Sequence, residues 1–197
     1  MRRLLIGTTN PVRLEILCAA LAPLPIELVT LVQLGITAAV EEDGASPVAN
    51  AEKKARAYQA LSQFPTLALD GGMTIAGLPP ERQPGVTVRR IPGIIAPTDE
   101  DLLVFYEREL ATLGGSTTAT WHVGMALALS SARVVTQQTD FPALMRLGRR
   151  GLLRPGAPLD CLLSDPVSGK AYSEMRPAER PAMMAYRDFV AQHLDEM

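Results

Sequence analysis

Histidine and cysteine are nearly missing from this chain: its 197 residues hold two of each, His122 and His193, Cys18 and Cys161. Two histidines exclude a histidine-rich metal centre. Any metal would be held by carboxylates, which points to a hard ion such as Mg²⁺. Two cysteines make a disulfide framework unexpected and set the cytoplasm as the expected location. The net charge of −2 offers no basic footprint, so no nucleic acid is expected as a partner. No apolar run reaches the roughly 18 residues that a membrane helix requires, so no membrane partner is expected either. The opening run Met1 to Ile6 is too short for a signal peptide, because Thr8, Thr9 and Asn10 interrupt it; it reads as a first strand. There is no internal repeat and no low-complexity tract. What is present, 47% hydrophobic and 20% charged residues, is the composition of a soluble globular protein. The length suits a single domain over residues 1–197, with room for two lobes sharing a core.

The central stretch is Thr66-Leu67-Ala68-Leu69-Asp70-Gly71-Gly72. Four apolar or small residues read as a buried strand that leaves Asp70 at its carboxyl end, and the two glycines read as a turn. In α/β proteins ligands gather at such strand ends, so Asp70 is a candidate for metal binding or catalysis. Upstream, Leu4 to Gly7 suits a central strand. Asn10-Pro11 then gives an N-cap and a first-position proline for a helix over 11–21. A strand feeding a helix through a polar turn is a natural anion site, and Arg13 in the first turn hints at an anionic ligand.

Ile26 to Leu31 reads as a second strand, Glu41-Glu42-Asp43-Gly44 as an acidic loop, and Ser46-Pro47 as the start of a long helix to about Phe64. Thr98 caps a further helix whose buried face is Leu102, Leu103, Tyr106, Leu110 and Leu113, ended by Gly114-Gly115. Residues 118–129 and 133–139 read as a hairpin turning at Ser130-Ser131. The segment from Phe141 to Pro158, with four arginines, reads either as a mobile loop or as a helix ending near Gly151. Pro181 is expected to open a last helix with Met184, Phe189, Val190 and Leu194 inward. This order predicts an α/β fold: a mixed central β-sheet flanked by helices.

Taken in order, these residues resemble the inosine/xanthosine triphosphate pyrophosphatases. The family's Ser/Thr-x-Asn-x-x-Lys stands here as Thr8-Thr9-Asn10-Pro11-Val12-Arg13. Its Glu-Thr-Gly, followed after five residues by Asn-Ala-x-x-Lys-Ala, stands as Glu42-Asp43-Gly44 and Asn50-Ala51-Glu52-Lys53-Lys54-Ala55, with identical spacing. Asp-Asp-Ser-Gly-Leu becomes Leu69-Asp70-Gly71-Gly72-Met73. Pro84-Gly85 with Arg89, Leu159-Asp160-Cys161, Gly169-Lys170 with Glu174-Met175, and Arg180 with Ala185-Tyr186-Arg187 continue the series.

The resemblance implies an enzyme, a Mg²⁺-dependent nucleoside triphosphate pyrophosphohydrolase (Mn²⁺ being the alternative ion). It would convert (d)NTPs, non-standard purine triphosphates such as ITP and XTP among them, to monophosphate and pyrophosphate as a cytoplasmic homodimer. It implies two lobes with a cleft between them, Glu42 and Asp70 on the metal, and Asp70 as the catalytic carboxylate. Thr9, Asn10, Arg13 and Lys54 would lie on the phosphates, and Asp160, Lys170, Tyr186 and Arg187 at the base. Five departures stand out: Arg13 for lysine, Leu69 for the first acid of the pair, Gly71 for a hydroxyl residue, Ala157-Pro158-Leu159 where the family stacks an aromatic on the purine, and Tyr186 for the histidine of the closing motif. They keep two alternatives open: a nucleotide-binding protein without turnover, and a hydrolase of another phosphorylated substrate.

Overall fold

The computed structural model describes residues 2–197. Its centre is a mixed sheet of six strands flanked by helices, in the order β2-β1-β3-β4-β5-β6. β1 (Arg2–Ile6) runs parallel to β2 (Ile26–Thr30) and to β3 (Thr66–Ile75). β3, β4 (Ser116–Ala128), β5 (Val134–Arg146) and the short β6 (Leu163–Ser164) are antiparallel neighbours. The helices are α1 (Pro11–Leu21), α2 (Pro47–Ser62), α3 (Asp99–Thr112) and α4 (Met183–Ala191). Among the described residues no helix is long and apolar enough to cross a membrane.

The helix starts follow the local chemistry. The Asn10 side chain accepts from the Val12 and Arg13 amides, and Ser46 accepts from the Ala49 amide, each ahead of a first-position proline. At α3, Thr98 and Asp101 form a reciprocal capping box, with three acids in the first turn to complement the helix dipole.

Side-chain alternation along β3 sorts the layers. Leu67 and Leu69 pack with α1 and α4 in a cluster that includes Leu17, Met125, Tyr186 and Phe189. Met73 and Ile75, further along the same face, pack with Leu102, Leu103 and Tyr106 of α3 in a second cluster. The Tyr106 hydroxyl donates to the Val88 carbonyl (2.9 Å), which ties α3 to the preceding loop. On the reverse face, α2 lies on the sheet mainly through alanines, Ala51 and Ala55 against Ala68, Ala126 and Ala128, and through Tyr58, which packs with Leu5 of β1. Small residues on both sides let the helix axis come close to the strands.

Three expectations need correction. β3 does not end at Asp70; Gly71 and Gly72 continue it to Ile75 with unbroken pairing to β4. The glycines serve close approach and not a turn. A Cβ on Gly72 would lie 2.9 Å from the Gly85 carbonyl oxygen, where Gly85 exchanges backbone hydrogen bonds with Met73. Second, Phe141 to Arg146 is neither loop nor helix; it is the second half of β5. Pro142 is tolerated because its carbonyl faces Tyr172, which donates to it (3.4 Å), so the missing N–H lies on the side away from β4. Third, α4 begins at Met183, and Met184 is exposed.

Candidate active site

β1 pairs with β3 only at Thr66 and Leu67, with a last bond from the Gly7 amide to the Leu67 carbonyl (2.7 Å). Beyond Leu67, among the described residues, that edge of β3 is paired only by the Met73–Gly85 bridge. A cleft of about 480 Å³ opens there, lined by the loop Gly7 to Asn10 and by Leu69, Asp70 and Gly71. Asp70 therefore sits at the carboxyl end of the parallel pair although it is in the middle of its own strand, and the strand-end argument for ligand binding still applies.

Asp70 is 4% exposed and every charged group near it comes from a different element. Lys54, one turn after Asn50 on α2, places Nζ 3.0 Å from Asp70 Oδ1 and 2.7 Å from Glu42 Oε1. Asn50 Nδ2 donates to Asp70 Oδ2 (2.9 Å), and its own carbonyl accepts from the Gly44 amide (2.7 Å). The acidic loop, α2 and β3 are thereby fixed to one another. Arg13 reaches over from α1: Nη1 donates to the Leu69 carbonyl (3.2 Å) and lies 3.9 Å from Asp70 Oδ1. A cation in the first turn of a helix works against the dipole; here the Asp70 carboxylate offsets it. Lys54 is 7% exposed, so its ammonium and the Asp70 carboxylate form a desolvated pair, while Glu42 meets the same ammonium from the solvent side.

Asn10 is fully engaged in structure. Its Oδ1 caps α1, and its Nδ2 donates to the Gly156 carbonyl (2.9 Å), closing the loop before Asp160 against the start of the helix. Thr9 is exposed on the same rim of the cleft.

The other end of the cleft is apolar and aromatic, with Trp121, Phe141, Tyr172 and Tyr186 among its walls. Asp160 accepts from Arg180 in a buried ion pair, and the Arg180 guanidinium lies 5.3 Å from the centre of the Tyr172 ring. Among the described residues the Arg180 Nε–H has no partner, although it is buried and its side chain lines the cleft; an unmatched buried donor of this kind calls for an acceptor. Burial pushes the Tyr172 and Tyr186 hydroxyls up to about 12, so both remain O–H donors.

The structure thus brings together Glu42, Asp70, Thr9, Asn10, Arg13, Lys54, Asp160 and Tyr186 around one cleft. Lys170 and Arg187 are not on its walls. Lys170 leaves its turn to pair with Glu179 (2.8 Å). Arg187 follows the buried Tyr186 by about 100° around α4 and rests by Met184 and Asp188. Sequence reasoning passed over Arg180, Trp121 and Tyr172. Arg180 was within reach, because it opens the last motif of the series.

Comparison with known proteins identifies the family and the fold. Residues 4–184 match the sequence profile of the Ham1 family. A dITP/XTP pyrophosphatase of Lactiplantibacillus plantarum is 27% identical over 181 residues, covering 90% of this chain and 85% of that protein. A dITP/XTP pyrophosphatase of Anaeromyxobacter sp. is 43% identical over 76 residues, 38% of this chain and only 33% of that protein. The structure of a HAM1 protein from Coxiella burnetii superposes over the full length of both chains, with a TM-score of 0.78 at 23% identity, a likeness of fold.

Proposed function

The chain belongs to the Ham1 family, and from that membership and the cleft we propose that it is a nucleoside triphosphate pyrophosphohydrolase. It releases pyrophosphate from a nucleoside triphosphate and leaves the monophosphate. Non-standard purine triphosphates are the expected substrates, in line with the dITP/XTP pyrophosphatases it is similar to. The observation that carries this reading is the polarity of the cleft: a buried carboxylate ringed by Lys54, Arg13 and Asn50 at one end, and an aromatic chamber with the Asp160–Arg180 pair at the other.

In this reading Arg13 and Lys54 neutralise the phosphates, and Thr9 and the α1 N-terminus held by Asn10 flank them. Asn50 grips one oxygen of Asp70 (2.9 Å) and so orients the other, which accepts a proton from the attacking water. Asp160, Tyr186 and Arg180 meet the base. Among the described residues no group of three or more His, Cys, Asp or Glu could hold a metal by itself. Yet Glu42 and Asp70 converge on one point that already accepts a positive charge, the Lys54 ammonium. Two carboxylates completed by substrate phosphates are the usual provision for Mg²⁺. The residues therefore fit that ion, with Glu42 and Asp70 as its protein ligands, and when bound it would neutralise charge on the leaving pyrophosphate.

A panel of standard and deaminated nucleoside triphosphates, assayed for pyrophosphate with Mg²⁺ or Mn²⁺, tests the proposal. Release from at least one of them is expected. Tight binding with no turnover across the panel would favour the second reading, a nucleotide-binding protein, which the single acid at 69–70 motivates: Leu69 is buried among apolar side chains and supplies no second carboxylate.

The same reading takes the chain as one domain of two lobes, supported by the two separate apolar clusters on either side of the cleft. It also makes the enzyme a cytoplasmic homodimer. Light scattering in solution is expected to give twice the monomer mass; the monomer mass at all accessible concentrations would remove the dimer from the reading.

A further inference from the structure

The base end of the cleft lacks an aromatic ring on the loop that enters Asp160, because Ala157, Pro158 and Leu159 occupy that wall. On its floor it has a tryptophan. Trp121 stands on β4 directly between Met73 on β3 and Phe141 on β5, so its side chain is on the face of the sheet that carries the cleft. The neighbours place it at the junction of the two apolar clusters: Met73 belongs to the α3 cluster, and Val123, two residues on, packs with the α1 and α4 cluster. Both Trp121 and Phe141 line the cleft and are only partly buried.

We propose that Trp121 is the stacking platform for the nucleotide base, and so a specificity-determining residue of the reaction proposed above, on which this inference rests. Gly71 supplies the space. A Cβ there would lie 3.7 Å from the six-membered part of the Trp121 ring and 3.1 Å from the Arg13 guanidinium. With no side chain at 71, the passage between Arg13 and the indole is clear. A ligand gripped through phosphates by Arg13 can therefore extend its planar end over the ring. Leaving a large apolar face uncovered in a cleft carries a free-energy cost that a stacked base removes. Stacking also tolerates any base, since each has a π-face. Discrimination then falls on the Asp160–Arg180 pair and the unpartnered Arg180 Nε–H, which favours a base edge presenting an acceptor.

Trp121 is the one tryptophan in the chain, so its fluorescence reports on this position alone. The experiment titrates the full chain, without divalent metal, with inosine triphosphate and separately with tripolyphosphate, following emission and binding heat. Inosine triphosphate is expected to quench the emission saturably, while tripolyphosphate binds without quenching. Trp121→Leu is expected to weaken inosine triphosphate roughly 5- to 100-fold, the size of one stacking contact, and to leave tripolyphosphate within about twofold. Trp121→Phe should recover most of the loss, because a π-face is restored. Equal quenching by both ligands, or unchanged nucleotide affinity in Trp121→Leu, would overturn the inference. Should Trp121→Leu not fold, the two wild-type titrations and Trp121→Phe decide it alone. If the wild type binds no nucleotide in the presence or absence of metal, the underlying function fails, and the inference fails with it.

Discussion

Asp70→Asn is expected to lower pyrophosphate release by roughly 100- to 10,000-fold, the usual contribution of a general base. The substitution keeps the shape of the side chain and removes its charge. Asn50 Nδ2 and Lys54 Nζ both donate to this group (2.9 and 3.0 Å). An amide can accept only through its oxygen, so one of the two donors would face an NH₂ group. The pair most affected is the one that orients the reactive oxygen. The fold should survive, because Lys54 keeps Glu42 at 2.7 Å and is not left as an isolated buried charge. The stability loss is expected to be about 1–3 kcal/mol, the cost of one buried donor left unmatched, read from urea unfolding.

Asp43→Asn is the matched control. Asp43 lies beside Glu42 in sequence, but it is exposed and pairs with Lys53 (2.6 Å) on the solvent side of α2. Surface pairs contribute little, and activity should stay within about twofold. A folded Asp70→Asn enzyme that keeps more than about a tenth of its activity would remove Asp70 from the catalytic role, since a missing general base costs at least about 100-fold.

Much of the fold was legible because it is written in local signals. Asn10-Pro11 and Ser46-Pro47 mark the starts of α1 and α2 to the residue, since a capping side chain and a proline leave one register for the first turn. The residues around Asp70 come from the order of the family motifs, and the structure brings Asn50 and Lys54 onto one side of α2 because they are one helical turn apart. What was not legible depends on neighbours remote in sequence. Gly71-Gly72 looks like a turn until Gly85 is seen against one glycine and the Arg13 guanidinium against the other. Pro142 looks like a strand breaker until Tyr172 is found on its open side. Lys170 and Arg187 follow the motif order but leave the cleft, because Glu179 holds one and the turn of α4 carries the other past Tyr186. Trp121 faces the cleft because of strand register, which a motif does not encode.

The close seating of α2 on the sheet also yields a prediction about a residue that touches no ligand. Gly124 is the cross-strand partner of Asp70. A Cβ at this position would lie 2.3 Å from the Pro47 carbonyl carbon, 2.4 Å from the Val48 nitrogen and 2.5 Å from the Pro47 oxygen. These are backbone atoms in the first turn of a helix and cannot rotate away as a side-chain tip could. Gly124→Ala must therefore lift the start of α2 from β4 or bend β4 away from it. Overpacking of this kind costs about 3 kcal/mol when the clash is with backbone. For a chain of this length that corresponds to a fall in Tm of roughly 6–12 °C. The same displacement moves Asn50, one turn into α2, away from Asp70, where they now meet at 2.9 Å. Activity should therefore fall in the fraction that remains folded, with kcat affected more than KM because the disturbed contact orients the carboxylate and not the phosphate ligands. Thermal unfolding and steady-state kinetics on the purified variant test both halves. A Tm within about 2 °C of wild type would show that α2 sits further from the sheet than its alanine-lined interface requires.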